Sequence, residues 1–291
     1  MELPLVVGVD GSGSAHRALE WALNEAALHR LPLRLVYASR WERYEGVAPA
    51  RSPARPTEEL LADNIVGSAA EYAHERNADV HVSVQVLSDD TVTALLREGR
   101  YASALILGSK GRGEFAELLL GSVSLAVASR ASCPVIVVRG DKAALAGTHD
   151  RVLLGVGDPD QGTQPAQFAF REAEARGCAL DAVRAWRCPA HETTDHPLLA
   201  GAPELYHEER ASALLDKALT DAVGAHPMVH VRRATVEGPP HKVLVRRSAA
   251  ADLLVVGAQR RHGHLGLQLG RVGHAALHHA ECPVAVVPQP G

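Results

Sequence analysis

The feature that most constrains this chain is that it is written twice. The segments LPLVVGVDGSGSAHRALEWALNEAALHRLPLRLVYASRW and DRVLLGVGDPDQGTQPAQFAFREAEARGCALDAVRAWRCP align with Val7 on Leu154, Glu25 on Glu172 and Ala38 on Ala185, a constant offset of 147 residues. Farther along, LILGSKGRGEFAELLLGS aligns with LVVGAQRRHGHLGLQLGR, placing Gly108 on Gly257 and Cys133 on Cys282 at an offset of 149. An offset held across strands, loops and helices implies one fold used twice. We therefore expect two domains, residues 1–140 and 150–291, with 141–149 as the linker. A chain of 291 residues fits two domains on length alone.

Within the first half, Leu5 to Val9 is a continuous apolar strand, and a helix capped by Ser14 runs to about Arg30 with Ala18, Trp21, Ala22 and Leu28 on one face. Leu33 to Ala38 reads as the second strand. A proline-rich loop, Ala48 to Pro56, leads to an amphipathic helix from Thr57, its cap, to about Arg76. Val80 to Leu87 alternates as a third strand, and Thr91 to Tyr101 is helical. Strands that are apolar throughout, alternating with helices, belong to a parallel sheet covered on both faces. The expected architecture is α/β: two tandem, doubly wound, five-stranded parallel sheets of Rossmann-like type.

The stretch with most chemistry is Leu105 to Val138, LILGSKGRGEFAELLLGSVSLAVASRASCPVIVV, read as strand, glycine loop, helix, strand. Gly108, Gly111, Gly113 and Gly121 let a ligand approach the backbone closely, and Gly121-Ser122 opens a helix whose first amides lack internal partners. Those amides and the helix dipole favour a phosphate. The spacing G-x2-G-x9-G-S is neither the Walker pattern nor the dinucleotide G-x-G-x-x-G. A glycine-rich turn that binds nothing is the competing reading. In sheets of this kind ligands sit beyond the carboxyl ends of the strands where the strand order reverses, which makes Val9-Asp10-Gly11 a neighbour of the glycine loop. Asp10 serves either the ligand or, as a loop cap, its own neighbouring amides.

This motif, followed by Cys133-Pro134 and Val135 to Val138, resembles the nucleotide-binding signature of the universal stress protein family, once per half and in degenerate form in the second. The resemblance implies a fold like that of the adenine nucleotide alpha-hydrolases and ATP, with or without Mg2+, held by Gly8, Val9, Asp10, Ala38, Gly108, Gly111, Gly113, Gly121, Ser122 and Val123. It implies an acidic residue at Asp10 against the nucleotide, and backbone groups at Ala38 meeting adenine. It also implies that Val135 to Val138 and Val284 to Val287 pair the two halves through their last strands, and that tandem chains form homodimers. The implied output is regulatory, a stress-response module whose nucleotide alters partner contacts. A slow ATPase is the alternative from another class, with Lys110 and Arg112 supplying charge and Asp10 a metal, but no second carboxylate stands out to place a water. A structural partner that binds no nucleotide is the third possibility.

The second half departs at the positions that matter. Gly157 stands for Asp10, Arg260 for Gly111 and Arg271 for Ser122. Asp158 lies one residue later than the Asp10 position. Arg260 cannot take glycine's conformations cheaply. We expect the second half to have lost its nucleotide site and to act as a folding and dimerisation partner. The other reading is that Arg260, Arg261 and Arg271 hold a different anion, because guanidinium forks suit phosphate.

Four cysteines do not make a disulfide framework, and Cys133 and Cys282, each before a proline and an apolar strand, read as packed thiols. Cys178 and Cys188 have no further ligand at metal spacing. Among sixteen histidines, His274 and His278 share an i, i+4 helical spacing with His279 adjacent, while His262 and His264 lie in the degenerate loop. A helical pair without a third ligand gives no metal site. A net charge of −4 with scattered basic residues gives no pull toward nucleic acid or an anionic membrane. The start MELPLVVGVDGSGS enters a strand without a charged leader, and no run of 18 apolar residues occurs, so a cytoplasmic protein is expected.

Overall fold

The computed structural model describes residues 2–39, 57–111, 120–158, 162–188, 203–260 and 267–289. The chain divides into two compact units, residues 1–138 and 139–291, taken here one at a time. No described helix is long and apolar enough to cross a membrane.

In the first unit, β1 (Leu5–Gly8), β2 (Leu33–Ala38), β3 (Val82–Leu87), β4 (Ala104–Gly108) and β5 (Val135–Val138) form a parallel sheet in the order β3-β2-β1-β4-β5. Successive residues of β1 and β4, such as Val6, Val7, Leu105 and Ile106, are all fully buried. Burial at both parities is what a sheet covered on two faces requires. Helix α1 (Gly13–His29) packs with α2 (Thr57–Arg76) on one face, and α3 (Thr91–Glu98) with α4 (Ser122–Ala128) on the other. The strand order reverses between β1 and β4, so their carboxyl ends diverge and leave a crevice there.

Three local expectations are corrected. Helix α1 is capped by Ser12, whose Oγ accepts the Ala15 N–H at 3.1 Å, while Ser14 is buried inside the first turn. The apolar face of α1 runs through Ala18, Leu19, Ala22, Leu23 and Ala26, with Trp21 beside it, whereas Leu28 is 37% exposed. The smaller alanines let the helix lie close to the sheet, which turns Leu28 outward. The third strand starts at Val82 rather than Val80, and the helix after it ends in a single 3-10 turn at Gly99–Tyr101. The proline-rich loop and the side chain of Thr57 lie outside the described residues.

The second unit repeats the plan. Strands β6 (Arg151–Gly155), β7 (Ala179–Trp186), β8 (Val231–Glu237), β9 (Leu253–Arg260) and β11 (Val284–Gln289) are parallel in the order β11-β9-β6-β7-β8, and the two-residue β10 (Leu267–Gln268) adds antiparallel to β9. The segment read as linker contains a short helix, α5 (Lys142–Leu145), capped by Asp141 at 2.8 Å from the Ala144 amide nitrogen. Buried Asp252 accepts from the His149 and Arg151 amides at 3.0 and 3.1 Å, which ties the approach to β6 onto its own unit. Helices α6 (Gln164–Arg176), α7 (Pro203–Ala225), α8 (Pro240–Ser248) and α9 (Arg271–His279) complete it. Helix α6 begins at the position matching Arg17, about one turn later than α1 does.

Candidate functional site

A cavity of about 550 Å³ opens at the carboxyl ends of β1, β2 and β4, where the first unit's strand order reverses. Nine residues singled out in the sequence line it: Gly8, Val9, Asp10, Ala38, Gly108, Gly111, Gly121, Ser122 and Val123. Gly113, Arg112 and the loop between them and Leu120 lie outside the described residues. The walls include Val36, Leu95 and Leu107, and Lys110 reaches it from the loop. An apolar enclosure with a few convergent polar groups is the usual form of a small-molecule site.

Asp10 stands between the two readings given to it. One carboxylate oxygen, Oδ1, accepts the Ser12 N–H at 2.9 Å, so it does close the turn after β1. The other, Oδ2, faces the glycine loop: a Cβ built on Gly111 would stand 3.4 Å from it. The loop and the carboxylate therefore confront each other across the opening, with glycine leaving the space between them.

The loop is pinned from both sides by serines that periodicity did not single out for this role. Ser14 Oγ accepts the Lys110 N–H at 3.1 Å, and a Cβ on Gly108 would come within 2.7 Å of the Ser14 backbone. Helix α1 thus presses on the strand end so closely that only glycine fits. On the far side, buried Ser124 donates to the Gly108 carbonyl at 2.7 Å, and the Gly121 N–H closes the loop onto Ser109 O at 2.8 Å. Helix α4 follows, its first bond running from Leu125 N to Gly121 O at 3.1 Å, so the amides of Ser122 and Val123 have no partner within the helix. At the end of β2 the Ala38 carbonyl accepts the Thr91 hydroxyl at 2.8 Å, which fixes that rim to the start of α3. Tyr37, Ser39, Thr91 and Leu95 also line the cavity. Tyr37 and Ser39 are marked in sequence by position at the carboxyl edge of the second strand, Thr91 and Leu95 by position in the helix that follows the third.

The second unit has a cavity of about 410 Å³ at the matching strand ends, lined by Gly157, Asp158, Arg184, Gly257, Gly270, Arg271 and Gln289 among others. A cavity therefore remains where loss of the nucleotide site was expected. Its interior differs. Arg184, at the position of Tyr37, donates to the Gly157 carbonyl, and Gln289 donates to Gly162 O at 3.1 Å with its amide lying against Gly257. Gly273 replaces Ser124, and the side chains of Arg260 and Arg261 lie outside the described residues, as do His262 and His264. Burial lowers the pKa of Arg184, with Asp158 favouring its charge and Arg210 opposing it.

Burial pushes the Cys133 thiol up to about 11 and the Cys282 thiol up to about 12, so both stay neutral and unreactive at physiological pH. His274 and His278 stack on α9 with ring centroids 6.2 Å apart. Partial burial, then the neighbouring His274, His279 and Arg139, lower the His278 pKa.

Comparison with known proteins follows the repeat. The model of the universal stress protein family matches residues 3–139 and again 148–288. A universal stress protein of Mycobacterium tuberculosis is 33% identical over 296 residues, covering 98% of this chain and 97% of that one. Another from Mycobacterium tuberculosis is 30% identical over 307 residues, covering 99% and 96%. Among solved structures, a universal stress protein from Archaeoglobus fulgidus superposes with a TM-score of 0.67 at 17% identity, covering 98% of each chain.

Proposed function

This chain belongs to the universal stress protein family, and from that premise we propose that its first unit binds ATP and that the protein acts as a regulatory, nucleotide-sensing module of the stress response. The observation that carries this reading is the confrontation of Asp10 Oδ2 with the Gly111 end of the glycine loop across a cavity of about 550 Å³. The apolar walls Val36, Leu95 and Leu107 suit a purine face, and the loop amides with Lys110 suit phosphates. Mg2+ fits the same arrangement. That ion is commonly held by one or two carboxylates together with substrate phosphates and water, and Asp10 offers one oxygen toward the loop.

Binding rather than turnover is the role we assign. Phosphoryl transfer needs a group that orients water or a nucleophile as well as one that holds metal. Asp10 is the one carboxylate among the described residues lining the cavity.

The experiment is calorimetric titration of ATP with Mg2+ into the wild-type chain and into Gly111→Arg, which carries the second half's residue into the first. The expected result is a nucleotide site in the wild type that this substitution removes, since the guanidinium stem would fill the gap facing Asp10. Wild-type binding that Gly111→Arg leaves unchanged would place the nucleotide elsewhere and overturn the assignment.

A further inference from the structure

We propose that the second unit's cavity is a binding site for a small phosphoryl-bearing ligand without a purine, held by Arg184 and Arg271. The cavity's charge is the first observation. Among the described lining residues, the first unit's cavity carries Asp10 and Lys110, one charge of each sign. The second carries Asp158 against Arg184 and Arg271, an excess of one positive charge, with Arg210 near enough to act on Arg184. The reversal of strand order leaves a crevice here as it does in the first unit, so its lining rather than its presence is what distinguishes it. Its volume is about 410 Å³, within the range of small-molecule pockets.

The second observation concerns what the cavity excludes. Arg184 reaches from near the end of β7 to the Gly157 carbonyl after β6, across the carboxyl ends of the two strands. Gln289, 8% exposed, closes another side by its bond to Gly162 O and its contact with Gly257. Together they set long polar side chains across the strand ends on two sides of the cavity, which disfavours the flat apolar face of a base there.

The third is what the two guanidiniums do there. Arg184 is half-buried and, among the described residues, one of its N–H groups serves Gly157. A guanidinium has five donors in a planar fork that matches phosphate oxygens. Arg271 occupies the first position of α9, a nine-residue helix whose N-cap, Gly270, has no side-chain bond to the helix amides. A dianion between them would offset the cost of desolvating Arg184 and the repulsion from Arg210.

The test uses the full chain carrying Gly111→Arg, so that the first unit's glycine loop does not contribute. Inorganic pyrophosphate is titrated calorimetrically into this chain and into the same chain with Arg271→Ala or Arg184→Gln added, and adenosine is titrated as the purine control. We expect one pyrophosphate per chain, at least about tenfold weaker binding with either arginine changed, and no displacement of bound pyrophosphate by adenosine. Arg271 is exposed at a helix start, so its removal leaves the fold in place and decides the matter alone if Arg184→Gln unfolds. Absence of pyrophosphate binding, binding indifferent to Arg271→Ala, or displacement of pyrophosphate by adenosine would each overturn the proposal.

Discussion

The two units are copies of one fold that differ most where they hold their fourth strands against the following loop. In the first, Gly108 is trapped between the Ser14 backbone and the Ser124 hydroxyl, and the loop beyond it is latched through Lys110 N–H to Ser14 Oγ. In the second, the matching Gly257 faces the amide of Gln289 and the ring of Pro165, and Gly273 has removed one hydroxyl. Both cavities survive, but one is framed by backbone and short hydroxyls and the other by long, charged or amide side chains. The lesson is that strands and helices are the duplicated part of such a chain, whereas the small residues at strand ends decide what each copy holds.

The largest expected effect separates these two frames directly. In Gly108→Ala the new methyl lies 2.7 Å from the Ser14 backbone, which cannot step aside without moving α1. We expect a loss of about 3 kcal/mol of stability in denaturant unfolding, at the upper end for overpacking. Gly257→Ala meets Gln289 Oε1 at 2.4 Å and Pro165 Cγ at 3.0 Å, and the far end of a glutamine can rotate away. That change should cost about 1 kcal/mol. Equal losses at the two glycines would mean that the second frame is as rigid as the first.

A smaller effect tests the latch. Ser14→Ala leaves the Lys110 amide without its acceptor at the edge of the cavity. A part-buried donor deprived of its partner costs about 1–2 kcal/mol, and the glycine loop it positioned should bind nucleotide more weakly. Ser12→Ala is the matched control, because it removes the cap of the same helix at a cost of about 1 kcal/mol without touching the loop. The readout that separates them is ATP affinity, expected to fall several-fold for Ser14→Ala and to hold for Ser12→Ala in calorimetry.

Which of these features the sequence disclosed follows from their range. The duplication, the strand order's parallel character and the glycine loop were legible, because apolar runs and constant offsets are local or repetitive signals. Nine of the ten residues assigned to the nucleotide come together around one cavity for the same reason: they lie at strand ends whose placement the fold dictates. Ser14 was not legible. A serine at a helix start is an ordinary cap candidate, and only a contact with Lys110, 96 residues away, shows that its oxygen is spent elsewhere. Arg184 was missed on similar grounds, since a charged residue ending a strand gives no hint that it will reach back over the neighbouring strand to Gly157.

The smallest prediction concerns a place where the copies adopt the same backbone with different residues. Helix α1 ends at Arg30 with φ of 56°, and α6 ends at the matching Gly177 with φ of 62°, both left-handed. In each the cap N–H bonds back into the last turn, at Ala26 and Ala27 for Arg30 and at Ala173 and Glu174 for Gly177. A residue with a Cβ pays about 1 kcal/mol for that conformation, whereas glycine pays little in the fold but more in lost freedom of the unfolded chain. The two terms oppose each other, so Arg30→Gly should raise stability by only about 0.5 kcal/mol. Gly177→Ala meets no atom within 4 Å of its new Cβ, so its cost, about 1 kcal/mol, is the backbone conformation alone. Chemical denaturation of the two variants gives opposite signs if the backbone term governs both caps. A loss of stability in Arg30→Gly would show instead that the arginine side chain, by covering the end of α1, contributes more than its left-handed backbone costs.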